Sequence, residues 1–164
     1  MKEELKRRLS RSPRLVPGDS RGTEDSLTLR LENELETRDL GLELSSCLEV
    51  GDVIALVGDL GTGKTTLTRY IAEGLGIKGS VSSPTFTIIK EYHDGRLPLY
   101  HFDAYRLGSG DELLDIGGEE YLYGNGVCVV EWADLVTDVL PEESLIIRIT
   151  YGEKEGERFY QCIF

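Results

Sequence analysis

The run "GDLGTGKTTLTR" (58–69) sets a lysine and a threonine directly after a glycine-spaced turn, a combination suited to holding phosphate. Gly58, Gly63, Lys64 and Thr65 fit the pattern G-x-x-x-x-G-K-[ST] residue for residue. Glycines at 58, 61 and 63 permit backbone angles and close approaches that a side chain forbids. Successive N–H groups from Gly61 to Thr65 then converge on an anion at the positive end of the helix that follows. Lys64 supplies a cation between β- and γ-phosphates, and the Thr65 hydroxyl a ligand for Mg2+, which takes few protein ligands. Asp59, Leu60, Gly61, Thr62, Gly63, Lys64, Thr65 and Thr66 are therefore the expected contacts to a nucleoside triphosphate. A purely structural glycine turn is the competing reading. The apolar run "DVIALV" before the loop and the helical pattern after it argue against that.

Hydrolysis would need a carboxylate at the tip of a neighbouring strand to hold the metal's waters and orient the attacking one. Two acids end buried-looking apolar runs: Asp103 in "LYHFD" and Glu131 in "VCVVE". Such a charge is costly unless it is paired with a cation. Both strands are expected beside the P-loop strand, with their ends at the ligand crevice. Asp103, the shorter, suits an outer-sphere metal ligand, whereas Glu131 reaches Mg2+ or the water facing the γ-phosphate. The alternative for either one alone is an exposed strand-end acid. Thr65, Asp103 and Glu131 thus form the expected metal set, with the two acids catalytic. Thr85 follows Pro84 in "SSPTF", where a loop threonine senses γ-phosphate through the metal; a plain Ser/Pro turn reads equally well. Trp132, the only tryptophan, adjoins Glu131 and is either core or a contact at the site's mouth.

These residues require a scaffold that gathers strand ends. "SLTLRLE" (26–32) alternates as a half-buried strand, and "TRDLGLELSSCLE" (37–49) puts Leu40, Leu44, Cys47 and Leu48 on one helical face. "DVIALVG" reads as a strand covered on both faces, and Lys64 to Gly74 as a helix burying Leu67, Ile71 and Leu75. "FTIIKEY" and "LPLYHFD" flank an Asp94-Gly95 hairpin turn. A helix broken at Gly117-Gly118, a strand "GVCVVEW", a short helix over 133–140 and two closing strands complete the chain. About seven strands among three or four helices predict an α/β three-layer sandwich with a mixed sheet.

Bulk properties narrow the function classes. A chain of 164 residues suits one domain, here 26–164, after an extension over 1–25. Nothing approaches the ~20 apolar residues of a membrane span, and the N-terminus lacks an apolar signal region, which points to the cytoplasm and to no membrane partner. The net charge is −12, of which residues 1–22 carry +4, so −16 rests on the remainder. So acidic a body repels a phosphate backbone. The basic extension, with Pro13, Pro17 and Gly18, reads as disordered, with a nucleic-acid arm as the alternative. Cys47, Cys128 and Cys162 have no zinc spacing and read as buried free thiols. His93 and His101 sit in no metal-binding frame.

Together, "GDLGTGKTTLTR", "SSPTFTIIKEY", "YHFDAYRL", "DELLDIGGEEYL" and "EWAD…LP" resemble the TsaE (YjeE) family of P-loop ATPases, in order, from Ser26 to Phe164. The resemblance implies ATP and Mg2+ as cofactors. It also implies a role in forming N6-threonylcarbamoyladenosine at position 37 of tRNAs that read codons beginning with A. The implied partner is the TsaB–TsaD pair, with tRNA reached only through it and with ATP hydrolysis resetting the assembly. Lys64, Thr65, Asp103 and Glu131 correspond to the family's Mg-ATP residues, and Thr85 to its loop threonine. Thr37 corresponds to a residue near the adenine, and Arg158 to a C-terminal residue near the nucleotide.

The rival from another class is a P-loop small-molecule kinase, which needs a basic lid to clamp the moving phosphoryl group. Leu107 to Ile147 contains no lysine or arginine, leaving no material for one. The chain also ends without the longer C-terminal helix of some TsaE members.

Overall fold

Side chains of the strand β2 (Val53–Val57) go alternately to two cores, as the two-residue period of a strand requires. Ile54 and Leu56 pack with α1 (Lys2–Leu9), α2 (Glu34–Cys47) and α3 (Lys64–Gly74), through Leu5, Leu44, Leu67 and Ile71. Val53 and Ala55 face the opposite core, with Leu113 of α4 (Gly110–Asp115) and Leu122 of α5 (Gly118–Leu122). The computed structural model describes residues 1–17 and 25–164. Within them the helices form the outer layers of a three-layer, P-loop NTPase-like α/β sandwich.

The middle layer is a mixed sheet of seven strands. Side by side lie β1 (Ser26–Leu31), β7 (Arg158–Ile163), β6 (Leu145–Tyr151), β2, β5 (Val127–Glu131), β4 (Leu99–Asp103) and β3 (Ile89–Tyr92). The four strands β6, β2, β5 and β4 are parallel, while β7 and β1 extend one side and β3 the other by antiparallel pairing. Register sets Leu56 beside Glu131 and Glu131 beside Asp103, aligning the tips of three strands at one edge.

Of the two acid-bearing strands only β5 adjoins β2, against the expectation that both do; β4 lies one strand farther out. The run "VCVVE" is buried at all five positions and takes the inner place. The third strand is shorter than "FTIIKEY" suggested, because Ile88 turns to φ 65° and begins pairing only at Ile89. Residues 133–140 form two 3-10 turns instead of one helix, broken at β-branched Val136, whose φ is −133°. Helix α2 starts ahead of Thr37 because the Asn33 side chain accepts the Glu36 N–H at 3.0 Å and caps it.

The largest difference is at the N-terminus. Residues 2–9, expected to be disordered, form a helix whose Leu5 and Leu9 are buried in the α2 core. Leu15 bridges Leu29 antiparallel, with Val16 N–H donating to Thr28 O and Arg30 N–H to Arg14 O, so the segment covers the β1 edge. Four of its basic residues meet acids of the chain: Arg7 and Arg8 pair with Glu4, Arg8 with Glu43, Arg14 with Glu36 and Asp39, and Lys6 with Asp25. Two hydrophobic anchors at i and i+4 outweigh a polar composition. The Gly18 part of the extension lies outside the described residues.

Candidate functional site

The loop between β2 and α3 is held open by its own geometry. Gly61 (φ 81°) and Gly63 (φ 105°) occupy the left-handed region, and a Cβ on Gly58 would lie 2.7 Å from both Ile149 O and Thr62 Oγ1. The Thr62 hydroxyl donates to Asp59 O at 2.8 Å, so Thr62 closes the turn and offers a ligand its backbone alone. The eleven-residue helix α3 begins at Lys64 with no side-chain cap and no acid in its first turn. Its first N–H groups and positive dipole end are left for an anion.

Around this loop lies a cavity of about 410 Å³ lined by Leu60, Gly61, Gly63, Lys64, Thr65 and Thr66, with Thr85, Asp103, Glu131 and Trp132 opposite. Lys64 Nζ is folded onto the loop, donating to Gly58 O at 2.5 Å and Asp59 O at 3.0 Å, 4.1 Å from the Trp132 ring centre. Burial pushes the Lys64 ammonium below the ordinary lysine value, against the pull of Glu131, Asp134, Asp103 and Asp59. Trp132 holds a left-handed backbone (φ 56°) unusual for a bulky residue, with its ring 4.9 Å from that of Tyr105.

The two strand-tip acids are met by hydroxyl, backbone N–H and imidazole donors, with no lysine or arginine bonded to either among the described residues. Glu131, 3% exposed, accepts the Thr65 hydroxyl at 2.8 Å on Oε1 and 3.1 Å on Oε2, and Oε2 also contacts His101 Nε2. Asp103 accepts the Ser83 hydroxyl at 2.6 Å and the Tyr105 N–H at 3.0 Å. Its own N–H donates to Ile88 O at 2.8 Å, so the loop carrying Thr85 is tied to Asp103 at both ends. Thr85 itself is exposed and bonds only within the loop, to Ser83 O at 3.3 Å.

Four expected contacts do not line this cavity: Asp59 and Thr62 within the loop itself, and Thr37 and Arg158 beyond it. Thr37 is buried, with its hydroxyl 3.3 Å from Tyr160 Oη, which stands behind Gly63. The Arg158 guanidinium stacks on Tyr151 at 4.6 Å, and Tyr151 in turn donates to Leu60 O at 2.6 Å. They flank the far side of the loop, next to its backbone and away from the acids.

The residues fit a magnesium–triphosphate guest: an uncapped helix end, a lysine with only loop carbonyls to bond, and a hydroxyl bonded to a buried strand-tip carboxylate. Among the described residues no group of three His, Cys, Asp or Glu side chains makes a metal cage. A divalent ion would have to draw ligands from phosphate and water, as Mg2+ does.

Comparison with known proteins carries the assignment further. The sequence pattern of the family described as Threonylcarbamoyl adenosine biosynthesis protein TsaE matches residues 31–159. The chain belongs to the TsaE family. It is 54% identical over 138 residues to a "tRNA threonylcarbamoyladenosine biosynthesis protein TsaE" of Bacillus subtilis, spanning 84% of this chain and 86% of the relative. The protein of the same name from Treponema pallidum is 46% identical, across 70% and 84% of the two chains. A crystal structure of Bacillus subtilis YdiB superposes with a TM-score of 0.75 at 44% identity, covering 87% of each chain.

Within this TsaE-family site, pattern reading overlooked two kinds of residue. His101 and Ser83 hold the acids but belong to no metal frame. For His101 the available signal was its place two residues before Asp103, which puts both side chains on one strand face. Tyr151, 91 positions from Leu60, carried no local signal.

The described residues contain no helix long and apolar enough to cross a membrane. Cys47, Cys128 and Cys162 are buried and free, and burial raises the Cys128 and Cys162 thiols to about 12.

Proposed function

We propose that this TsaE-family chain is a Mg2+-dependent ATPase that serves N6-threonylcarbamoyladenosine formation at position 37 of tRNAs reading codons beginning with A, together with the TsaB–TsaD pair. The observation that carries the ATPase reading is the bond from Thr65 of the phosphate loop to Glu131 at an adjacent strand tip. The loop amides and Lys64 bind and orient the phosphates. Mg2+, when bound, supplies charge neutralisation at the γ-phosphate, with Thr65, Asp103 and Glu131 as its protein side. Glu131 Oε1, released from Thr65, orients a water and holds its proton as the oxygen–phosphorus bond forms and ADP leaves. Asp103 holds the Ser83–Ile88 loop, and with it Thr85, against the site.

The chemistry is slow in the isolated chain, since no arginine or lysine lies between Leu107 and Ile147 to serve as a lid or finger. The same gap disfavours a small-molecule kinase. With −12 net charge, and with the N-terminal basic residues Lys6, Arg7, Arg8 and Arg14 paired to acids, tRNA is reached through partners. The test is reconstitution: multi-turnover threonylcarbamoylation by TsaB, TsaC and TsaD with and without this protein, then with Lys64→Ala. Turnover that continues unchanged without the protein, or with the Lys64 variant, overturns the reading.

A further inference from the structure

His101 is completely buried in a position where an apolar side chain would be expected, between Leu99 on its own strand and Val129 across the register. Leu99, His101 and Asp103 share one face of β4, and Val127, Val129 and Glu131 the same face of β5, so the imidazole lies diagonal to Glu131. Its Nε2 meets Glu131 Oε2, while its Nδ1 has no partner among the described residues. The tautomer with the proton on Nε2 leaves only an acceptor unpaired, whereas the other would bury an unpaired N–H and set two acceptors against each other.

We propose that His101 is a positioning residue for Glu131: its Nε2–H holds Oε2 and leaves Oε1 as the working oxygen. This deepens the ATPase reading and rests on it. Thr65 bonds Glu131 at 2.8 and 3.1 Å, but its hydroxyl is also the one expected to turn to the metal. Once that happens Glu131 keeps one fixed donor, the imidazole on the adjacent strand, and without it the carboxylate can rotate away from the water it must align. A buried carboxylate held by a second group is a common arrangement around metal sites, and loss of the holding group lowers activity about 10–100-fold.

The test has one arm that needs no nucleotide. The chain has two histidines, so nitrogen-15 spectra of the ring, assigned with His93→Gln, read the His101 tautomer directly. A proton on Nε2, with or without one on Nδ1, whose resonance moves in Glu131→Ala with His93 unmoved supports the clamp; an Nε2 without a proton overturns it. In single-turnover ATP hydrolysis, His101→Leu should lose ~10–100-fold in rate with nucleotide affinity kept within about twofold. His101→Gln, whose amide nitrogen falls where Nε2 was, should stay within about fivefold of the native rate, whereas His101→Asn, too short, should not. Added to Glu131→Gln, His101→Leu should slow the reaction no further. If His101→Leu does not fold, the Gln and Asn pair decides. Equal rates for Gln and Asn, an unimpaired Leu variant, or an additive double variant each overturn the proposal. A native protein that neither binds nor hydrolyses ATP overturns the ATPase reading instead, and the tautomer still decides the clamp.

Discussion

Thr65 and Glu131 are 66 positions apart in the chain, yet the hydroxyl of one donates to the carboxylate of the other at 2.8 Å. The bond joins the first turn of α3 to the tip of β5, and it occupies the oxygen that hydrolysis would require. On the proposed ATPase reading, binding of a metal-bound triphosphate would divide this pair.

Replacing the carboxylate should separate binding from chemistry. Glu131→Ala is expected to retain ATP while hydrolysing it ~100-fold more slowly or worse, in the range seen for loss of a general base. Calorimetry with Mg-ATP and single-turnover phosphate release measure the two quantities. Unchanged turnover would remove Glu131 from the role of orienting water.

Lys64→Ala should act on binding. A charged hydrogen-bond donor to phosphate contributes about 1.5–3 kcal/mol, so affinity should drop ~10–100-fold. The thermal shift that nucleotide gives the native protein should shrink accordingly. Equal shifts in native and variant protein would contradict the cradle.

Trp132 offers an internal reporter. Lys64 Nζ lies 4.1 Å from its ring, and the lysine must leave the Gly58 and Asp59 carbonyls to reach a phosphate. Because the chain has one tryptophan, emission should change on nucleotide addition and saturate at the calorimetric affinity. Saturable binding with constant emission would mean that Lys64 stays on the loop.

The N-terminal helix should be part of the folding unit. Leu5→Ala removes a fully buried side chain and should destabilise the protein by about 2–5 kcal/mol in chemical denaturation. A change under about 0.5 kcal/mol, the range of surface substitutions, would mean that α1 is loosely attached.

Alkaline pH should weaken the fold through its thiols. Burial raises Cys128 and Cys162 from 9.0 in the unfolded chain to about 12, so both states are protonated below 9. As pH rises from there toward 12, the unfolded chain releases protons that the folded chain keeps, and stability declines. Denaturation at a series of pH values from neutral upward should show this slope, reduced in the Cys128→Ala, Cys162→Ala double variant. An equally steep slope in the variant would assign it to other groups.

Several features were legible before any fold was known, because they are set by neighbours in the chain. The phosphate loop needs glycines at fixed offsets from a lysine, and α3 runs from Lys64 to Gly74 as its apolar spacing predicts. The break at Gly117-Gly118 and the apolar runs of β2 and β5 are equally local. Composition misled at the N-terminus, where charge suggested disorder but Leu5 and Leu9, one helical turn apart, found a core to enter.

Tertiary structure alone decided how residues distant in sequence face each other. That β5 separates β4 from β2, that His101 meets Glu131, that Ser83 and Ile88 tie the Thr85 loop to Asp103, and that Tyr151 supports Leu60 all depend on strand order and register. A local pattern specifies which face a side chain occupies through the period of its own element. Which neighbour it meets there is set by the packing of the entire sheet, and no spacing within one strand encodes that.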